Sequence, residues 1–158
     1  MIEDAVYDAA IAALARAGGY LCTPVEKYQI EKALWLNGKL NRNLIARSTE
    51  VLAPAFGLPE TARNSKFFMV EETRVGKQAP FSGEKLCLVL TVYRAKDFAA
   101  AKERVREILD FQGRGHSCGL SCCALSSREG PRFRRSAGRE GSATARHPSA
   151  CSIASLLR

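Results

Sequence analysis

The sequence predicts an α/β fold, and three observations carry the prediction. Apolar residues recur at helical spacing through the first 56 residues. Two short runs rich in β-formers follow, and a further amphipathic helix leads from them to another apolar stretch. The 158 residues, 46% hydrophobic and 25% charged, are enough for a domain with a core, which excludes collagen-like and wholly disordered classes.

From Asp4 to Ala17 the positions Val6, Ala10, Ala13, Leu14 and Ala17 line one helical face, acids occupy the first turn, and Gly18-Gly19 ends the run. Thr23-Pro24-Val25-Glu26 places a capping hydroxyl, a proline at the first helical position and a glutamate three residues after the cap. This predicts a second helix from Pro24 to about Leu36, stopped by Asn37-Gly38. A third helix is expected over about Leu44 to Phe56, closed by Gly57 and Pro59. Then the period changes. Lys66 to Val70 and Leu86 to Tyr93 read as buried strands. Asp97 caps a helix carrying Phe98, Ala101, Val105 and Ile108, ended by Gly113. With His116 to Leu120 as a third element, these make a βαβ unit whose last strand should be parallel.

The formal charge of +8 is unevenly placed. Residues 1–120 carry 17 Lys and Arg against 14 Asp and Glu, whereas residues 121–158 carry 7 Arg against 2 Glu. In that last stretch 29 of 38 residues come from Ser, Arg, Ala, Gly, Cys and Pro, all types that GC-rich codons encode. Translation in a shifted reading frame, a disordered Arg/Ser-rich tail and a folded appendage are the three readings, and the frame shift suits the composition best. Each puts a boundary near Leu120, dividing the chain into 1–120 and a basic tail, 121–158. The tail's few large apolar residues, among them Leu125 and Phe133, show no period, so no packed core is expected there.

No run of about 18 apolar residues and no basic, then apolar N-terminus occurs, so the chain reads as cytoplasmic, with no membrane partner. His116, Cys118, Cys122 and Cys123, with His147 and Cys151, lack the paired C-x-x-C spacing of zinc sites, and no metal is expected. Cys22 precedes a helix start, where a thiol's pKa can fall, but no histidine lies near it. Cys87 reads as a small buried hydrophobe. P-loop, G-x-G-x-x-G and G-x-S-x-G motifs are absent. Glu84, in Pro80-Phe81-Ser82-Gly83-Glu84-Lys85-Leu86, stands before a strand, where a carboxylate could accept from two vicinal ribose hydroxyls; a solvated loop glutamate is the commoner case.

Ile2 to Asp8, Met69-Val70-Glu71-Glu72, Pro80 to Leu90 and Gly113-Arg114-Gly115-His116-Ser117, in this order and at these distances, resemble part of the catalytic domain of an aldehyde dehydrogenase. The resemblance is to the CoA-acylating branch, and within it to the sulfoacetaldehyde dehydrogenases. It covers residues 1–120 and stops where the composition breaks. It implies a partial catalytic domain, NAD or NADP as cofactor, CoA as co-substrate, a small aldehyde as substrate and a homo-oligomeric parent. In that family a cysteine thiolate attacks the aldehyde, hydride leaves to the nicotinamide, and the thioester passes to CoA or water. Glu84 takes the place of the glutamate that holds the nicotinamide ribose. Leu86 stands where many members carry a phenylalanine near the nicotinamide, and Cys87 and Leu88 where many carry glycine or serine and then proline. The resemblance puts the nucleophilic cysteine before the segment matched by Ile2 to Asp8, so no catalytic residue is assigned here and no turnover is expected from this chain alone. A rival reading is a small basic module binding RNA or acidic partners through its tail, although Phe133 is the tail's one aromatic residue for stacking.

Overall fold

The computed structural model describes residues 1–112, 118–122 and 151–154. They form two compact units, Asp8–Tyr93 and a second that joins Met1–Tyr7 to the residues from Arg94 onward.

The larger unit is built on three parallel strands in the order β2-β5-β6: β2 (Gly19–Leu21), β5 (Phe67–Glu71) and β6 (Val89–Val92). Helix α1 (Tyr7–Arg16) enters β2 through Gly18, whose φ of +105° is open to glycine and strained for other residues. Its apolar face is less covered than expected: Tyr7 is buried, but Ile11 and Leu14 are half-buried and Ala13 and Ala17 exposed.

Helix α2 (Pro24–Leu34) starts at the expected capping box. Glu26 N donates to Thr23 Oγ1 at 3.3 Å, and Thr23 N donates to Glu26 Oε2 at 2.7 Å. The helix ends two residues before the expected Leu36. Trp35–Leu36 form β3 and pair antiparallel with β4 (Lys39–Leu40). Asn37-Gly38 is therefore the two-residue turn of a hairpin, with both residues at positive φ (52° and 75°), and not a helix stop. The third helix is also shorter than expected. Ala46 at φ 55° and extended Ser48 interrupt the run, so a 3-10 turn at Arg42–Leu44 precedes α3 (Thr49–Ala55).

The core holds Ile30 and Leu34 of α2, Leu52 and Phe56, Phe68 and Val70 of β5, and Phe81, all nearly or fully inaccessible. Phe68 meets Phe56 and Tyr20 edge-on, at ring separations of 5.9 and 6.5 Å. Strand β6 is shorter than the expected Leu86 to Tyr93 and is not buried on both faces. It lies at the edge of the sheet, and its burial is uneven: Val89 and Val92 are buried, whereas Leu90, and Leu88 just before the strand, are exposed.

In the smaller unit β1 (Ile2–Glu3) pairs parallel with β7 (Arg94–Ala95). Arg94 is paired with Asp4 and stacks over the Tyr7 ring at 4.5 Å. Helix α4 (Phe98–Gln112) is capped as expected, Ala100 N donating to Asp97 Oδ1 at 2.8 Å, and it buries Ala101 beside Ala95. The expected parallel third strand of the βαβ unit is corrected: β8 (Gly119–Cys122) forms, but it pairs antiparallel with β9 (Cys151–Ala154). A strand's open N–H and C=O groups are satisfied by whichever strand lies alongside, and an antiparallel partner serves at least as well. Gly113 to Ser117, the tail's Cys123 to Ala150 and Ser155 to Arg158 lie outside the described residues, and with them the expectations for His116, His147 and most of the tail. Among the described residues no helix is long and apolar enough to cross a membrane.

Phe68→Ala removes the ring at the centre of this core and should cost about 3–5 kcal/mol, whereas Thr23→Ala, which opens one exposed cap, should cost about 1 kcal/mol. Urea unfolding of the two variants beside the parent chain measures both.

Candidate functional site

Strands β5 and β6 are parallel neighbours, so residues 72–88 must travel back over the sheet. Such a crossover is commonly an α-helix, which satisfies its own backbone. Here the segment contains only a 3-10 turn, Pro80–Ser82, and side chains join scattered backbone bonds in meeting its backbone groups.

Glu72 secures the exit from β5. Its buried carboxylate accepts from Thr73 N at 2.8 Å, Arg74 N at 3.1 Å and Lys27 Nζ at 2.8 Å. Burial by itself would raise its pKa, but these donors outweigh burial and hold it below the usual carboxylate range. Lys27 also donates to Glu71 O at 2.6 Å and sits 5.7 Å from the centre of the Phe81 ring, while Trp35 meets that ring edge-on at 5.0 Å. The 3-10 turn is thereby tied to α2 and to the carboxyl end of β5.

The turn is also closed internally. Ser82 Oγ donates to Ala79 O at 2.7 Å and accepts from Gly76 N at 3.1 Å. Phe81 O accepts from Thr91 Oγ1 at 2.7 Å and from Lys85 Nζ at 2.9 Å, and Gly83 O accepts from the same ammonium at 2.9 Å. Phe81, Ser82, Gly83 and Lys85 are buried, and among them Glu84 is half-buried. Leu86 comes next, 48% exposed, at a φ of 50° that side chains rarely adopt; its carbonyl accepts from Ala46 N at 2.9 Å. The two residues singled out from the sequence, Glu84 and Leu86, thus stand two apart on one segment, both reached by solvent and both flanked by anchored backbone.

Burial pushes the Lys85 ammonium down to about 8, against the smaller raising effects of Cys87 and Glu84. No local sequence signal marks this lysine as buried, or Lys27 and Glu72 as a pair. A lysine next to a glutamate in a turn looks solvated, and its burial follows only from where Phe81 and Gly83 place their carbonyls.

Neither Cys22 nor Cys87 is activated. Cys22 stands before α2 as expected, but burial and then the Glu26 carboxylate raise its thiol to about 12, opposite to the lowering that a helix start allows. Its amide donates to Met69 O at 2.9 Å, which continues the pairing of β2 with β5 on the side of the sheet opposite β6. Cys87 is half-buried, and burial raises its thiol too. Among the described residues no three His, Cys, Asp or Glu side chains converge on a metal position.

Two outcomes follow from these titrations. Lys85 binds fewer protons folded than unfolded between pH 8 and 10.5, so its contribution to stability rises with pH across that window. The stability of the parent relative to Lys85→Met should therefore climb by roughly 2–3 kcal/mol from pH 8 to 10.5 in denaturant titrations, with the opposing effect of Cys22 common to both chains. At pH 8, Cys22 should react with iodoacetamide at least about a hundredfold more slowly in the folded chain than in urea, read by mass spectrometry.

No family model matches the chain. The sulfoacetaldehyde dehydrogenase (acylating) of Cupriavidus necator is 44% identical over 121 residues, which cover 76% of this chain and 24% of that protein. The enzyme of the same name from Bilophila wadsworthia is 35% identical over 122 residues, 74% of this chain and 26% of that one. Among solved structures, an acetylating aldehyde dehydrogenase from Geobacillus thermoglucosidasius superposes with a TM-score of 0.67 at 31% identity, over 72% of this chain and 25% of its own. The chain spans about a quarter of the length of the curated relatives it matches. The parallel β2-β5-β6 sheet and its anchored crossover are a segment of that fold, and the chain belongs to the aldehyde dehydrogenase superfamily, in its CoA-acylating branch.

Proposed function

We propose that residues 79–88 form the nicotinamide-ribose clamp of an NAD(P)-dependent, CoA-acylating aldehyde dehydrogenase that takes small aldehydes of the sulfoacetaldehyde class. The observation that carries this reading is the half-buried Glu84 carboxylate, held between the buried Gly83 and Lys85. A carboxylate has acceptor sites for two hydroxyls at once, and backbone anchored on both sides fixes where those sites lie. Exposed Leu86, two residues on, offers an apolar surface of the kind a planar ring packs against. The residue types therefore fit a ribose with an aromatic base attached.

In this reading Glu84 accepts from the vicinal ribose hydroxyls, and Leu86 covers one side of the nicotinamide and excludes water. The bound NAD(P) supplies the hydride acceptor. What this segment contributes is orientation, and a misplacement of about 1 Å at a reacting centre can cost about a hundredfold in rate. Cys22, with its raised thiol, has no part in the covalent step.

The test places residues 1–120 in frame in the Cupriavidus necator enzyme, in place of the segment they match. In that chimera Glu84→Gln should lower kcat for CoA- and NAD(P)-dependent oxidation about ten- to a hundredfold and leave the melting temperature unchanged, because the amide accepts through one oxygen only. Sulfoacetaldehyde should be preferred over acetaldehyde. Equal kinetic constants for the Glu and Gln forms would return Glu84 to an ordinary loop residue.

A further inference from the structure

The geometry points to Lys85 as the positioning residue of this clamp, its ammonium gathering the carbonyls of Phe81 and Gly83 so that the chain between them and Leu86 holds Glu84 at the surface. The inference rests on the reading of Glu84 given above.

Three features of the segment support it. First, the two accepting carbonyls, each 2.9 Å from Nζ, lie four and two residues before Lys85, so a single side chain closes the turn from which Glu84 emerges. Second, Phe81 O is shared with Thr91 Oγ1 at 2.7 Å, which fixes the closed turn to β6, while the Phe81 ring is held by Trp35 and Lys27. Third, the backbone immediately beyond Lys85 is held in an unfavourable conformation: Leu86 sits at φ 50° and is retained by the Ala46 amide. A non-glycine residue stays in that region only where its surroundings over-determine it.

A buried ammonium is an expensive way to close a turn. Desolvation dominates at Lys85, so its charged form costs stability near neutral pH. A methionine of similar length would fill the space without that cost, but it would take this donor from Gly83 O and leave Phe81 O to Thr91 Oγ1 alone, so the turn would no longer be closed on itself. The ammonium is suited to one task here, donating two hydrogen bonds along different directions to carbonyls that no helix satisfies. Lys85 does not touch the ligand in this scheme. It acts through Glu84.

The experiment uses the 158-residue chain with Lys85→Met, Lys85→Arg, Glu84→Gln and the double variant Glu84→Gln/Lys85→Met. Amide exchange at Glu84 to Cys87 should be at least about tenfold faster in Lys85→Met, with β5 and β6 unchanged, and slower again in Lys85→Arg, which keeps the charged donor. With NADH as the probe, followed by its fluorescence, Glu84→Gln and Lys85→Met should each raise Kd about tenfold, and the double variant should bind no more weakly than either single one. Unchanged exchange at Glu84 to Cys87 in Lys85→Met would overturn the inference, as would additive losses in the double variant. If Glu84→Gln and the parent chain treat NADH alike, the ribose reading fails, and the exchange rates still decide whether Lys85 sets the segment's shape.

Discussion

Parallel strands joined without a crossover helix leave a segment of backbone over the sheet with no regular partners, and most of what is distinctive in this chain answers that constraint. Buried N–H and C=O groups must be paired. Along residues 72–88 scattered backbone bonds are supplemented by side chains: Glu72 for the amides of Thr73 and Arg74, Ser82 for Gly76 and Ala79, Thr91 and Lys85 for Phe81, and Lys85 again for Gly83. Among the described residues no buried side-chain nitrogen or oxygen lacks a partner. The segment is irregular in outline but tightly determined, which is the property a binding loop needs.

The Lys27–Glu72 pair links this segment to the rest of the larger unit. Glu72 is nearly inaccessible and Lys27 partly solvated, so the cost of burying charge falls mainly on the carboxylate, which three donors satisfy. The same ammonium reaches the last residue of β5 and the face of Phe81. One side chain on α2 thus fixes where the sheet ends and where the 3-10 turn begins, and the hydrophobic core beneath, centred on Phe68, fixes α2 itself.

Much of the fold was legible because local chemistry and the final structure agree. The capping box at Thr23, the cap at Asp97 and the run Phe67 to Val70 depend on residues a few positions apart, and each forms as its sequence implies. The misreadings share a cause. Asn37-Gly38 can end a helix or turn a hairpin, and in the folded chain Trp35 leaves the helix to pair with Leu40 and to meet the Phe81 ring, a partner distant in sequence. Leu86 to Tyr93 is apolar almost throughout, Thr91 apart, so its pattern could not show that the strand lies at a sheet edge and starts at Val89, or that Leu86 takes a positive φ before it.

The sequence by itself determined the fold class and the superfamily, and it singled out Glu84 and Leu86 as candidates, because their type and order are written in one short stretch. The tertiary structure decided what surrounds them. It buried Lys85 and brought Lys27 to Glu72 across 45 positions of chain. It also raised the Cys22 thiol where a helix start alone would have lowered it. These are consequences of desolvation and of partners distant in sequence, and neither burial nor a long-range partner has a local signature in the order of residues.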